Sequence, residues 1–461
     1  MTRMDVTQVI DELRGLLGDR VSTGTSVLDQ HAGDEAYTTP VRPDAVAFPE
    51  STEEVSQIVT ICARHGCPII PYGIGSSLEG HVVPVMGGIT VDTSRMNRVL
   101  EIHESDLDAV VEPGVTRVQL NDELRATGLM FTVDPGANAT LGGMAATRAS
   151  GTNTVRYGTM ADNVLALEVV LADGQIIETG SRARKSSSGY DLTKLMIGSE
   201  GTLGIITKLT VKLHGQPEHI AAATCAFPSI AAAVDTVILA IQMGLPMARI
   251  ELLDEAQMRG MNIYNPDMVL PETPHLFLEF HGTEAGVAEQ VESFRALVDE
   301  FGGSDFAWAS KTEDRNRLWK ARHEAYYAGK ALRPGCDGVV TDCCVPISAL
   351  AECIARTQAL VADNNLIAPI VGHVGDGNFH LLILVDPEDA EEVAAAKRVA
   401  SEINDIALSF GGTVSGEHGI GSGKRVYLPK EHGAAYGVMG ALKRTLDPQN
   451  IMNPGKLVTL N

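Results

Sequence analysis

Apolar residues at Val6, Val9, Ile10, Leu13, Leu16 and Leu17 recur at helical spacing, so Met1 to Gly18 is expected to be an amphipathic helix. Asp5, Asp11 and Glu12 in the same stretch make it unlike a signal or transit peptide. Ser51 stands three residues before Glu54, a capping-box spacing, and the helix it opens should stop at Gly66, ahead of a strand around Ile69 and Ile70. Thr116 and Gln119 repeat the device, with Gly128 as the stop. Strand-like runs occupy Ile89 to Asp92 and Ala109 to Glu112. From Leu165 to Leu171 apolar residues alternate, Asp173-Gly174 supplies a turn, and Lys208, Thr210 and Lys212 alternate with Leu209, Val211 and Leu213. That pattern predicts a sheet with one face in water.

Around Gly215 to Pro217 the character changes, and long helical stretches alternate with short strands to about Phe410, which predicts a second α+β domain. The most apolar stretch, Ala221 to Ala248, is interrupted by Pro228, Asp235 and Pro246, so it reads as a buried helix rather than a membrane span. Thr312 to Leu332 reads as one helix, with Glu313 and Asp314 in its first turn and Pro334-Gly335 beyond its end. Arg322 and Tyr326, four residues apart, would then share a face.

At 461 residues the chain has room for two or three packed units and a large buried cofactor. Its net charge of -23, without a basic run, argues against nucleic acid or anionic lipid as a partner. A small anionic substrate must instead be drawn in by individual arginines or a metal. Seven cysteines form no C-x-x-C pair, which points to reduced thiols and a cytoplasmic location.

The candidate chemistry begins with glycine-rich segments. Pro71, Tyr72, Gly73, Ile74, Gly75, Ser76 and Ser77 follow a strand, and such a loop can aim several backbone N–H groups at one anion. A diphosphate is the expected guest. A dinucleotide fingerprint would need glycine at Leu78, and a Walker loop would need lysine at His81, so both are excluded. A second segment runs from Asp134, Pro135 and Gly136 through Thr140, Leu141, Gly142 and Gly143 towards Asn153 and Gly158; a third is Gly198 to Gly204. Singly each reads as a turn; together, in this order, they point to a cofactor.

His373 and His380 bracket Val374-Gly375-Asp376-Gly377, a turn sequence between apolar runs. If His373 pairs with Asn378, then His373, Asn378 and His380 project from one face of a strand pair. Ser415-Gly416-Glu417-His418-Gly419 adds a carboxylate and a further imidazole on a flexible backbone. His373, His380 and Glu417 would leave coordination positions open, as a catalytic metal requires. Zinc and manganese both suit these ligands, with non-haem iron as the rival; a metal-free polar turn is the bland alternative.

These segments, and the stretch Leu318-Trp319-Lys320-Ala321-Arg322-His323-Glu324-Ala325-Tyr326, resemble the flavoproteins of the vanillyl-alcohol oxidase and p-cresol methylhydroxylase superfamily. The branch is that of D-lactate dehydrogenase (cytochrome), the glycolate oxidase flavoprotein subunit and D-2-hydroxyglutarate dehydrogenase, over Val46 to Lys456. The resemblance implies an α+β fold: an FAD-binding domain over residues 1–215, with its core at 43–215, a substrate or cap domain on an antiparallel sheet with the metal site over 216–424, and a C-terminal segment, 425–461, returning to the FAD domain. It implies that the first loop and Thr140 to Gly143 hold the FAD diphosphate. Ser150, Asn153, Tyr157, Gly158, Glu200, Gly201 and Ile206 would line the flavin or adenosine, with Asn453 as the returning contact. Ser76 stands where several relatives carry a flavin-tethering histidine, so noncovalent FAD is expected.

By the same resemblance His373, His380 and Glu417 are divalent metal ligands and Arg322 binds the substrate carboxylate, with Tyr326 and Asn378 beside it. His418 is the expected general base while hydride passes to flavin N5. Thr341-Asp342-Cys343-Cys344-Val345-Pro346 also resembles that branch, and no Lys or Arg lies between Arg333 and Arg356, which favours D-lactate over a dicarboxylate. Electrons would go to a cytochrome c, a quinone or an electron-transfer flavoprotein. The expected form has no integral span, is allowed a peripheral membrane contact through its acceptor, and is compatible with a homodimer. An oxidase delivering electrons to oxygen, and a metal-dependent hydrolase or ligand-binding protein whose glycine loops are merely turns, are the rival readings.

Overall fold

A computed structural model describes residues 6–35 and 39–460. Two compact units divide the chain: residues 1–150, 158–216 and 417–461 form one, and residues 151–157 and 217–416 the other. The N-terminal pattern gives the helix Thr7–Leu17, with Val9, Leu13 and Leu17 buried; residues 1–5 of the expected segment lie outside the described residues. Ser51 caps the helix Thr52–His65 by accepting from Glu54 N at 3.3 Å, and Gly66 ends it in the left-handed region at φ 61°. Only half of the capping box forms. The Glu54 carboxylate accepts from Arg20 Nη1 at 2.6 Å and Glu50 N at 2.7 Å rather than closing the box, an ion pair winning over a local bond.

The first unit carries a four-stranded sheet in the order Val21–Ser22, Ala45–Ala47, Ile89–Asp92, Ile69–Tyr72, with the last three parallel. A five-stranded antiparallel sheet follows in the order Val99–His103, Asp108–Val111, Ile205–Lys212, Val164–Val170, Ile176–Glu178. The expected wet face is covered in part, with Lys208 and Lys212 half-buried. Thr210 is buried, and Lys208 meets Glu168 at 2.9 Å. The helix Thr52–His65 anchors to this sheet through Thr52 Oγ1 donating to Glu168 Oε1 and Ser56 Oγ donating to Gly174 O, each at 2.6 Å. Glu168 there accepts from the helix and from Lys208 rather than from water alone, which alternation cannot distinguish. The C-terminal segment lies along strand Ile69–Tyr72: Ile69 N donates to Ile451 O at 2.7 Å and Asn453 N to Ile69 O at 2.8 Å.

The second unit is built on an eight-stranded antiparallel sheet. Its order is Ser304–Ala309, His219–Ala226, His275–Gly282, Met247–Leu253, Ile370–His373, Asn378–Val385, Asp337–Val340, with Cys343–Cys344 also pairing Asn378–Val385. The apolar stretch expected as one buried helix is instead strand His219–Ala226, helix Ile230–Gln242 and the start of strand Met247–Leu253. Pro228 and Pro246 mark the breaks, and the strand reads as a continuous apolar run because Ala221 to Ala226 are buried on both faces. Among the described residues no helix is long and apolar enough to cross a membrane.

Alternation divides this sheet sharply. Ile250, Leu252, Leu276, Leu278, Phe280, Phe379, Leu381 and Ile383 point to one face, where they pack with Val237, Phe294, Ile354 and Ile403 from the helices. The opposite face carries Phe277 and Leu253 against Trp319 and Ala328, together with a run of charged side chains. The helix expected over Thr312 to Leu332 is interrupted: Thr312–His323 and Ala325–Lys330 are separated by Glu324 at φ -83°, ψ 8°. Arg322 is buried while Tyr326 is 43% exposed, so the two do not share one environment as an unbroken helix would require.

Candidate active site

In the first unit the three glycine-rich segments meet. A Cβ on Gly73 would lie 2.5 Å from Thr140 Oγ1, and one on Gly201, at φ 69°, would lie 2.7 Å from Pro71 Cγ. Backbone bonds from Gly198 N to Ala145 O and Glu200 N to Ala146 O, both 2.9 Å, fasten the third segment to the helix Leu141–Thr147. Thr140 caps that helix by accepting from Gly143 N at 3.4 Å, and Gly142 is required where a Cβ would strike Pro113 at 2.5 Å. Gly75, at φ 70°, passes the Tyr72 hydroxyl too closely for any side chain. These close approaches make a cradle of backbone, the form a diphosphate-binding loop takes, so the residues present fit FAD.

Around that cradle, Ser77 Oγ donates to Asp34 at 2.8 Å, Ile74 is exposed, Ser76 and Pro135 are half-buried and Gly136 is exposed. Ile206 is buried in its strand, and Gly158 turns at φ 79° against Asp162. Asn453 Nδ2 donates to His81 O at 3.0 Å and Glu200 O at 2.8 Å. His81, noticed in the sequence only for spoiling a Walker loop, lies buried 3.2 Å from Glu200. Burial pushes its imidazole pKa down, but the Glu200 carboxylate outweighs this and the net shift is upward. Glu200 accepts from Ile420 N at 2.7 Å and Gly421 N at 2.8 Å, fixing the turn that follows Glu417 and His418. Ser150 Oγ donates to Glu417 Oε2 at 3.0 Å.

In the second unit the charged face of the sheet gathers the other candidates. His373 stands opposite Asn378 in register, Val371 opposite His380, and the two imidazole centroids are 5.4 Å apart. His373 Nδ1 bonds to Glu251 Oε1 at 2.7 Å and His380 Nδ1 to Thr341 O at 3.2 Å. With Nδ1 as donor in each ring, Nε2 carries the lone pair, the tautomer a metal-ligating histidine adopts. Asn378 Nδ2 donates to Asp342 Oδ1 and Cys343 O, both at 2.8 Å; its Oδ1 is buried without a hydrogen-bond partner among the described residues. Gly416, just before Glu417, has no room for a side chain, since a Cβ would fall 2.1 Å from Asn378 Nδ2. This donor set fits a divalent cation.

Glu251 is the residue the sequence reading missed. It is 1% exposed, and one oxygen takes His373 while the other takes Arg322 Nη2 at 2.5 Å. Burial pushes its carboxyl up, yet His373 and Arg322 hold the net pKa below the usual range. The signal was a single acid in the apolar strand Met247–Leu253. Asn153 and Tyr157 also belong here: Arg249 Nε donates to Asn153 Oδ1 at 3.0 Å, and the Tyr157 hydroxyl meets His281 Nδ1 at 2.8 Å. Tyr326 projects outward, with Lys330 Nζ 5.7 Å from its ring centre.

Comparison with known proteins agrees with this architecture. Residues 43–180 match the FAD binding domain family and residues 216–457 the C-terminal domain of FAD linked oxidases. A probable mitochondrial D-lactate dehydrogenase of Danio rerio is 52% identical over 99% of this chain and 92% of that protein. The mitochondrial D-lactate dehydrogenase (cytochrome) of Arabidopsis thaliana is 45% identical over 98% of this chain and 80% of its own. Substrate-bound p-cresol methylhydroxylase superposes with a TM-score of 0.83 over 98% of this chain and 97% of that one, at 20% identity, a likeness of fold alone. The chain therefore belongs to the FAD-linked oxidases of the vanillyl-alcohol oxidase and p-cresol methylhydroxylase superfamily, in the branch that holds the D-lactate dehydrogenases.

Proposed function

We propose that the protein oxidises D-lactate, or a similarly short D-2-hydroxy acid, to the 2-oxo acid with the help of a divalent metal, zinc or manganese, and passes the electrons to an external cytochrome, quinone or electron-transfer flavoprotein. The observation that carries the substrate reading is the Glu251 bridge, which holds a guanidinium and an imidazole on one sheet face. The names of the two D-lactate dehydrogenases support it. When bound, the flavin supplies the hydride acceptor and the cation the Lewis acidity that lowers the substrate hydroxyl pKa.

His373, His380 and Glu417 are the proposed ligands, and Glu251 and Thr341 O hold the two rings in the tautomer whose Nε2 carries the lone pair that a metal takes. Arg322, fixed through Nη2 by Glu251, keeps Nε without a hydrogen-bond partner among the described residues, and that donor is offered to the substrate carboxylate. His418 receives the hydroxyl proton as hydride leaves Cα. Asn378, oriented by Asp342, presents its carbonyl oxygen. The test is anaerobic bleaching of the flavin by D- and L-2-hydroxy acids, with and without a chelator. Bleaching by D-lactate that a chelator abolishes is expected; bleaching by the L-enantiomer, or indifference to the chelator, overturns the reading.

A further inference from the structure

Arg322 is not the only cation on this sheet face: Arg249, half-buried, stands beside it. Arg249 lies two residues before Glu251 on the same strand, so both side chains project to the same face, about 6.6 Å apart along it. Its guanidinium carbon sits 4.6 Å from the ring centre of Trp319, which precedes Arg322 by three residues on the helix Thr312–His323 and shares its side. The face is thus laddered: Glu251 with Arg322 makes one rung, and Arg249 with Trp319 the next. The terminal carboxyl carbons of a five-carbon dicarboxylate are separated by about 5 Å, four zigzag bonds of roughly 1.5 Å. Such a molecule, held by Arg322 at one end, would reach the second rung with the other.

Each rung is an ion pair, but the first adjoins His373, a proposed ligand, and would keep a surplus of positive charge with the cation bound, whereas at the second Arg249 is neutralised by Glu279. Glu279 stands opposite Arg249 in register, its carboxylate 3.6 Å from Arg249 Nε, and it is 5% exposed. Its position is set from the other side too, because Glu279 Oε1 accepts from His281 Nε2 at 2.7 Å while His281 Nδ1 accepts from the Tyr157 hydroxyl at 2.8 Å. A buried carboxylate so held cannot swing away from an incoming anion.

We propose that Glu279 is a specificity-determining residue: by neutralising Arg249 it excludes dicarboxylate 2-hydroxy acids and restricts the site to substrates with short uncharged side chains. The inference rests on the reading of Arg322 as the holder of the substrate's own carboxylate. Discrimination here comes from a repulsive element placed beside a latent attractive one.

The experiment compares D-2-hydroxyglutarate with D-lactate on the flavin-loaded protein. Glu279→Gln keeps an acceptor for His281 and removes only the charge. In that variant the ratio of kcat/KM for D-2-hydroxyglutarate to that for D-lactate is expected to rise by about tenfold or more, mainly through KM, and glutarate should become a competitive inhibitor. Adding Arg249→Met to the variant should return the ratio to within about twofold of the parent. Glu279→Met serves the same comparison if the Gln variant does not fold. An unchanged ratio in a folded Glu279 variant, or a gain that survives loss of Arg249, overturns the proposal. Arg322→Met, run alongside, separates the two ideas. If it leaves the KM for D-lactate unchanged, the carboxylate reading itself fails; if it raises that KM while Glu279→Gln changes nothing, only the role of Glu279 falls.

Discussion

Glu251 and His373 face each other on neighbouring strands, and the carboxylate holds the imidazole Nδ1 at 2.7 Å. Partners of this kind fix ring orientation and raise ligand basicity. Replacing Glu251 by Gln should weaken zinc or manganese binding by about 10- to 100-fold, read by equilibrium dialysis of the flavin-loaded protein. Undiminished affinity would mean that His373 is not a ligand or is oriented by something else.

His418 is the proposed base. Its replacement by Ala should slow anaerobic flavin reduction by D-lactate by about 10² to 10⁴, with flavin content maintained. Stopped-flow traces as fast as those of the parent would assign the proton to another acceptor.

Residue 76, where the family resemblance would place a flavin-tethering histidine, is Ser, whose hydroxyl cannot make a histidyl bond. Denaturation followed by ultrafiltration should therefore carry the yellow colour into the filtrate. Colour retained with the polypeptide would contradict a noncovalent cofactor.

Asp254 caps the helix Glu255–Tyr264, accepting from Gln257 N at 2.8 Å and Ile370 N at 3.1 Å, and burial pushes its pKa up to about 7. Between about pH 4 and that value the unfolded chain releases a proton that the folded one keeps, so this group's contribution to stability falls as pH rises. Asp254→Asn retains the acceptor oxygen without the titration. Its thermal midpoint relative to the parent should climb from pH 4 to 7 and level off above, by the equivalent of a few kcal/mol in order of magnitude. A difference independent of pH would show that Asp254 titrates normally.

Local devices were legible in the sequence because they are decided by neighbours in the chain. Ser51 and Gly66 bound their helix, and His373 finds Asn378 across a turn whose glycines allow it. Glu251 was not legible, since a lone acid in an apolar strand acquires meaning only when Arg322 and His373 arrive from distant segments. Thr210 looked solvated because alternation cannot reveal that a position on the outer face is buried by later packing. Tyr157 lies in a glycine-bounded stretch that reads with the flavin loops, yet its hydroxyl is engaged by His281, 124 positions further on. The break at Glu324 left no propensity signal, as neither glycine nor proline marks it.

The pairing of Ile69 with Ile451 and Asn453 has a consequence for biosynthesis. On the ribosome the strand Ile69–Tyr72 emerges long before Ile451 and Asn453, the residues that bond to its outer side. Until then a row of amides stays available to any passing polypeptide. A nascent chain stalled short of Ile451 would be a candidate for chaperone capture, whereas the arrival of Ile451 and Asn453 closes that margin from within.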